Sequence, residues 1–135
     1  MAKEIFIITD LSKTTDIKEN LHIRGHLKIN WTHDIFSGHF PDNPVLPGVV
    51  QVQMITEVFN KTMNDDFILA RASSIKYPNM VVPKICDTLT FDIHVIKPKT
   101  SGFGINATLV HENLTFLKLK GHFVPADDFK NLHNS

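Results

Sequence analysis

The sequence predicts an α+β domain in which an antiparallel sheet wraps around one long central helix. Three observations carry that prediction. Val49 to Met63 contains no proline or glycine and bears a broad apolar stripe. Two extended apolar segments precede it and four follow it, with short turn-forming stretches between the later ones. A helix this apolar needs cover on most sides, and a sheet with one apolar face supplies it.

Residues 4–11 read as a first strand. From Asn20 to Trp31, Leu21, Ile23, Gly25, Leu27, Ile29 and Trp31 alternate with His22, Arg24, His26, Lys28 and Asn30, the period of a half-buried strand. Residues 33–48 break that pattern with three prolines and two glycines, which argue against regular structure. In the helix that follows, Val52, Ile55, Phe59 and Met63 form one stripe, and Val50, Met54 and Val58 widen it. Gln53, Glu57, Asn60 and Asn64 make a narrow polar line at spacings of four, three and four. Phe67–Tyr77, Thr88–Ile96, Gly102–His111 and Thr115–Val124 are strand candidates, joined by turns at Pro98–Ser101 and Glu112–Leu114. The whole reads as a single domain over 1–135, its last ~10 residues frayed.

The bulk numbers bound the function. A chain of 135 residues suits one core, and 42% hydrophobic with 21% charged residues is ordinary for a globular protein. Fourteen basic residues balance fourteen acidic ones, against the basic excess of a nucleic-acid binder. With Cys86 as the single cysteine, no intrachain disulfide and no cysteine-based zinc site can form. The first apolar run, Ile5 to Ile8, is too short for a signal-peptide core, and no run approaches a membrane span. A soluble, cytoplasmic protein with no membrane or nucleic-acid partner is expected.

The chemistry concentrates in Phe36–Val50. Pro41, Pro44 and Pro47 fix three φ angles and remove three backbone donors, giving a stiff loop that can hold His39 in one place. Pro47-Gly48 then leads into a helix whose first amides lack partners. Those amides suit a carbonyl oxygen that gains negative charge. A histidine a few residues before them is a sensible arrangement for enolising a thioester.

This run, Gly38-His39-Phe40-Pro41-x-x-Pro44-x-x-Pro47-Gly48-Val49, resembles the signature of the β-hydroxyacyl-acyl-carrier-protein dehydratases and matches every fixed position of it. The resemblance implies a hotdog fold and a hydro-lyase of fatty-acid or related lipid metabolism. It implies that His39 takes the α-proton of a 3-hydroxyacyl thioester, and that Phe40, Gly48 and Val49 bind substrate. It further implies an acyl carrier protein as partner, no cofactor and no metal. The site would be completed across a homodimer, or a multiple of dimers, by a carboxylate on the partner's helix.

At that carboxylate position the chain carries Gln53, fourteen residues after His39. An amide orients a hydroxyl or water but donates no proton as a general acid. Glu57 lies one turn further along the same line, where the resemblance predicts glutamine, and would act through Gln53 or a water. A non-catalytic acyl-thioester or carrier-binding subunit is therefore the rival function, with an acyl thioesterase behind it. Arg71, Lys76 and Lys84 are candidate contacts for an acidic carrier. Two histidines four apart on a strand, His22 and His26, stand roughly 13 Å apart, too far to share a metal ion. Gly121-His122-Phe123 echoes the signature without a following helix and reads as coincidence, and Cys86 reads as packing.

Overall fold

The structure is a computed structural model and describes residues 4–38, 43–96 and 101–128. Its elements follow the order β1 (Phe6–Thr15), β2 (Leu21–Ile29), α1 (Ile35–Gly38), α2 (Gly48–Met63), β3 (Phe67–Lys76), β4 (Thr88–Ile96), β5 (Phe103–His111) and β6 (Leu114–Pro125). The six strands form one sheet in the order β1-β2-β4-β5-β6-β3, with every pairing antiparallel. The 16-residue helix α2 packs against this sheet.

Alternation decides which face meets the helix. In β2, Ile23, Gly25, Leu27 and Ile29 are buried while Arg24, His26 and Lys28 are exposed. Leu89, Phe91, Ile93 and Val95 continue the buried face on β4, and Ile105, Ala107 and Leu109 on β5. From α2, Val50, Met54, Ile55, Val58 and Phe59 join the same core. Phe59 stacks on Phe123 at 4.6 Å and meets Phe67 edge-on at 5.0 Å, anchoring the C-terminal half of the helix. β1 bulges between Ile8 and Asp10, opposite Leu27 and His26, and Gly25 pairs with Leu11 beside the bulge. A Cβ at Gly25 would overlap the Asp10 carbonyl, so the glycine is what lets the two strands close.

The strand expectations hold with small shifts of boundary. β1 starts two residues later than read and runs on to Thr15, because its outer half is polar and only its pairing with β2 marks it as strand. The break at 33–48 does contain regular structure, the single turn α1, where Phe36 N–H donates to the His33 carbonyl at 3.0 Å. Asn60 is not simply solvated. Its side chain clamps the backbone of Phe67, accepting from N–H at 2.9 Å and donating to the carbonyl at 3.3 Å. Asn64 ends α2 in the left-handed region (φ 54°), the usual stop for a helix without glycine. Residues 126–128, expected to fray, form a helical turn tied to β3's approach by Ala126 N–H donating to the Asp66 carbonyl. The turn expected at Pro98–Ser101 lies mostly outside the described residues, as does the chain beyond 128.

Candidate active site

The site is built around the start of α2. Leu46 is buried, and its N–H donates to the Val81 carbonyl at 2.9 Å, which pins the incoming chain to the loop between β3 and β4. Pro47 caps the helix in extended conformation (φ −62°, ψ 146°) with no side-chain cap bond. Its carbonyl takes the N–H groups of Val50 and Gln51 at 3.1 and 3.2 Å. The amides of Gly48 and Val49 precede the first intrahelical bond, at the positive end of the helix dipole.

Gly48 is required here for a contact rather than for a dihedral angle. A Cβ on it would stand 2.5 Å from Tyr77 Cζ, so the Tyr77 ring can lie over the helix start only because Gly48 has no side chain. Burial against this surface raises the Tyr77 phenol above its ordinary pKa. Val45, Leu46, Pro47, Gly48, Tyr77 and Met80 line, with Gln51 and Asn79, a mostly apolar cavity of about 230 Å³ that is open to solvent.

Gln51 is the residue that sequence reasoning missed. It is 2% exposed, the one buried polar side chain among the described residues. Its Nε2 donates weakly to the Leu46 carbonyl at 3.5 Å, and its Oε1 has no partner among the described residues. The signal was present, since positions 51, 54, 55, 58 and 59 follow the i, i+3, i+4, i+7, i+8 spacing of a buried helix face. Tyr77 and Asn79 had no such signal, because they arrive from a loop.

Of the expected site residues, His39 and Phe40 lie outside the described residues. Gly48 is half-buried and Val49 is exposed, both at the helix start. Gln53 and Glu57 are exposed on the protomer and bonded to each other, Gln53 Nε2 donating to Glu57 Oε1 at 3.1 Å. Arg71, Lys76 and Lys84 are all exposed. Cys86 is buried, and desolvation, with Asp87 beside it, pushes its thiol pKa up, the opposite of an activated nucleophile. His122 bonds the Ser101 carbonyl at 2.9 Å. No helix among the described residues is long and apolar enough to cross a membrane.

Residues 14–115 match the ApeI-like family, described as ApeI dehydratase. The chain belongs to this family of hotdog-fold dehydratases. Curated relatives are distant and consistent with one another. The 3-hydroxyacyl-(acyl-carrier-protein) dehydratase FabZ of Fusobacterium nucleatum is 29% identical over 99 residues, covering 70% of this chain and 68% of the relative. The FabZ of Helicobacter hepaticus is 25% identical over 133 residues, covering 87% and 78%. Among solved structures, an uncharacterized protein from Erwinia carotovora subsp. atroseptica superposes with a TM-score of 0.65 at 19% identity, covering 90% of this chain and 94% of that one. A chain of the dehydratase heterocomplex ApeI:P from Xenorhabdus doucetiae gives 0.61 at 20% identity, covering 86% and 99%. Both likenesses speak to the fold, an antiparallel sheet with a helix packed against it. The matched span, residues 14–115, includes the Gly38–Val49 run and the start of α2.

Proposed function

We propose that this ApeI-like chain removes water from a 3-hydroxyacyl thioester carried by an acyl carrier protein, giving the trans-2-enoyl thioester in fatty-acid or related acyl-chain synthesis. The observation that carries this reading is the run from Gly38 to Val49, which leads from His39 into the uncapped start of α2 beside a mostly apolar cavity. His39 takes the α-proton, and the electron pair of the C–H bond forms the C2–C3 double bond by way of an enolate. The N–H groups of Gly48 and Val49 hold the thioester oxygen while it carries negative charge. The C3–O bond breaks, and the hydroxyl leaves as water once it gains a proton. Gln53 orients that hydroxyl, and Glu57, bonded to Gln53, supplies the proton through it or through a water. Phe40 lines the acyl path in this reading.

Both Gln53 and Glu57 are exposed on the protomer, which suits a site completed against His39 of a second copy. We therefore read the working unit as a homodimer or a multiple of dimers in the cytoplasm. No metal or organic cofactor is needed, because the thioester is the electron sink. One observation favours a second reading, a carrier-binding subunit without turnover: an amide, Gln53, stands where the resemblance implies an acid. The test is incubation with a 3-hydroxyacyl-pantetheine thioester and, separately, its enoyl counterpart. Interconversion supports the dehydratase, release of free thiol without interconversion means a thioesterase, and tight binding with neither product means the subunit reading.

A further inference from the structure

On the sheet face opposite α2, three side chains from three segments meet without any part in the site above. His22 of β2 and His94 of β4 are register partners, and their rings stack with centroids 4.3 Å apart and planes 8° from parallel. Asp16, in the turn between β1 and β2, places Oδ2 3.2 Å from His22 Nε2. Its other oxygen, Oδ1, accepts the backbone N–H groups of Lys18 and Asn20, both at 2.9 Å. Those bonds, with His22 close by, hold the carboxyl below its ordinary pKa. Nε2 of His94 is buried and has no partner among the described residues.

We propose that Asp16, His22 and His94 form a binding site for a divalent transition-metal ion of the zinc type. Two imidazole nitrogens and one carboxylate oxygen are a zinc-type donor set that leaves a fourth position for water. The three ligand atoms already lie within 4.8 Å of one another. Metal bonds of about 2.0–2.1 Å put the corners of a tetrahedron about 3.4 Å apart. Asp16 Oδ2 and His22 Nε2 already stand at 3.2 Å, and no pair in the cluster needs to close by more than about 1.4 Å. Stacked rings point their lone pairs side by side. Binding therefore turns one imidazole out of the stack, which needs only side-chain rotation. The carboxylate needs no reorganisation, because the two amides on Oδ1 leave Oδ2 aimed at the pair, as an outer shell does in built metal sites. The ion would also give the buried His94 nitrogen the partner it lacks, and would tie the β1–β2 turn to a central strand.

The experiment uses the full chain without an affinity tag, metal-free, titrated with zinc chloride by calorimetry, with magnesium as the control ion. One zinc per chain at micromolar affinity is expected, with no uptake of magnesium. Asp16→Asn keeps the acceptor for Lys18 and Asn20 and removes the ligating oxygen, so it should weaken zinc at least tenfold. His94→Gln and His22→Gln should abolish binding, whereas His26→Gln, whose histidine pairs with Asp10 elsewhere on the sheet, should leave it unchanged. As a readout independent of mutation, imidazole nitrogen resonances of His22 and His94 should shift on adding zinc while those of His26 stay. Absence of stoichiometric zinc up to millimolar concentration would overturn the proposal. So would binding that is undiminished in Asp16→Asn and His94→Gln, or zinc-induced shifts confined to other histidines.

Discussion

Replacing Gln51 with methionine should make the protein more stable and a poorer binder of acyl thioesters. The side chain is 2% exposed and its carbonyl oxygen has no partner among the described residues. An unsatisfied buried acceptor costs about 1–3 kcal/mol. Against that, the change removes one bond to the Leu46 carbonyl whose 3.5 Å length sits at the limit of a hydrogen bond, worth about 0.5 kcal/mol. Methionine keeps the unbranched shape, and its flexible thioether adapts to a site of similar volume. The net expectation is a gain of about 1 kcal/mol, which for a chain of this size raises Tm by about 3–5 °C. The same substitution removes the one helix side-chain acceptor that lines the cavity beside Gly48 among the described residues. A lost substrate hydrogen bond of about 1.4 kcal/mol would weaken thioester binding about tenfold. Thermal unfolding and calorimetric titration with a non-reactive acyl-pantetheine measure the two effects on one sample. A variant destabilised by more than about 1 kcal/mol would show that Gln51 is well satisfied and structural, and the reasoning would fail.

Gly48→Ala should expel the Tyr77 ring, since a Cβ would stand 2.5 Å from Cζ. Because Tyr77 is the only tyrosine, its titration can be followed by absorbance, and its raised pKa should fall back toward the ordinary value with stability changed by no more than about 1 kcal/mol. Cys86 should resist alkylation in the native state and react at once when unfolded. Its folded pKa is raised, so its contribution to stability is intact below the ordinary thiol pKa and declines as pH rises through the folded value, measurable as a falling urea midpoint on the alkaline side. Gln53→Glu should raise dehydration, by up to roughly 10²–10⁴-fold if position 53 is the acid's place. Glu57→Gln should remove turnover if the proton travels through Gln53; unchanged turnover would take Glu57 out of the mechanism.

Much of the architecture was legible because it rests on period. The β2 alternation and the α2 stripe are local patterns that tertiary packing obeyed, and β4 falls at Thr88–Ile96, where composition placed it. The outer half of β1 was not legible, since its exposed polar residues are extended only by pairing with β2. At the site, the start of α2 was readable from Pro47-Gly48, whose effects on the backbone are intrinsic. The position of Gln51 was legible in the helical spacing, but a polar residue on the buried face sets residue type against position, a conflict that marks sites more often than cores. The histidine cluster needed the sheet itself. His22 and His94 are far apart in sequence, and only the β2–β4 register brings them together.

The dehydratase reading stands or falls on proton transfer by His39. The measurement is hydration of an enoyl-pantetheine thioester in deuterium oxide, with mass spectrometry of the 3-hydroxyacyl product, for the wild type and for His39→Ala at matched fold by circular dichroism. The wild type should deliver deuterium to C2 with turnover, and His39→Ala should be slower by roughly 10²-fold or more. Equal rates in the two proteins, or no product from the wild type across short and long acyl chains, would contradict it.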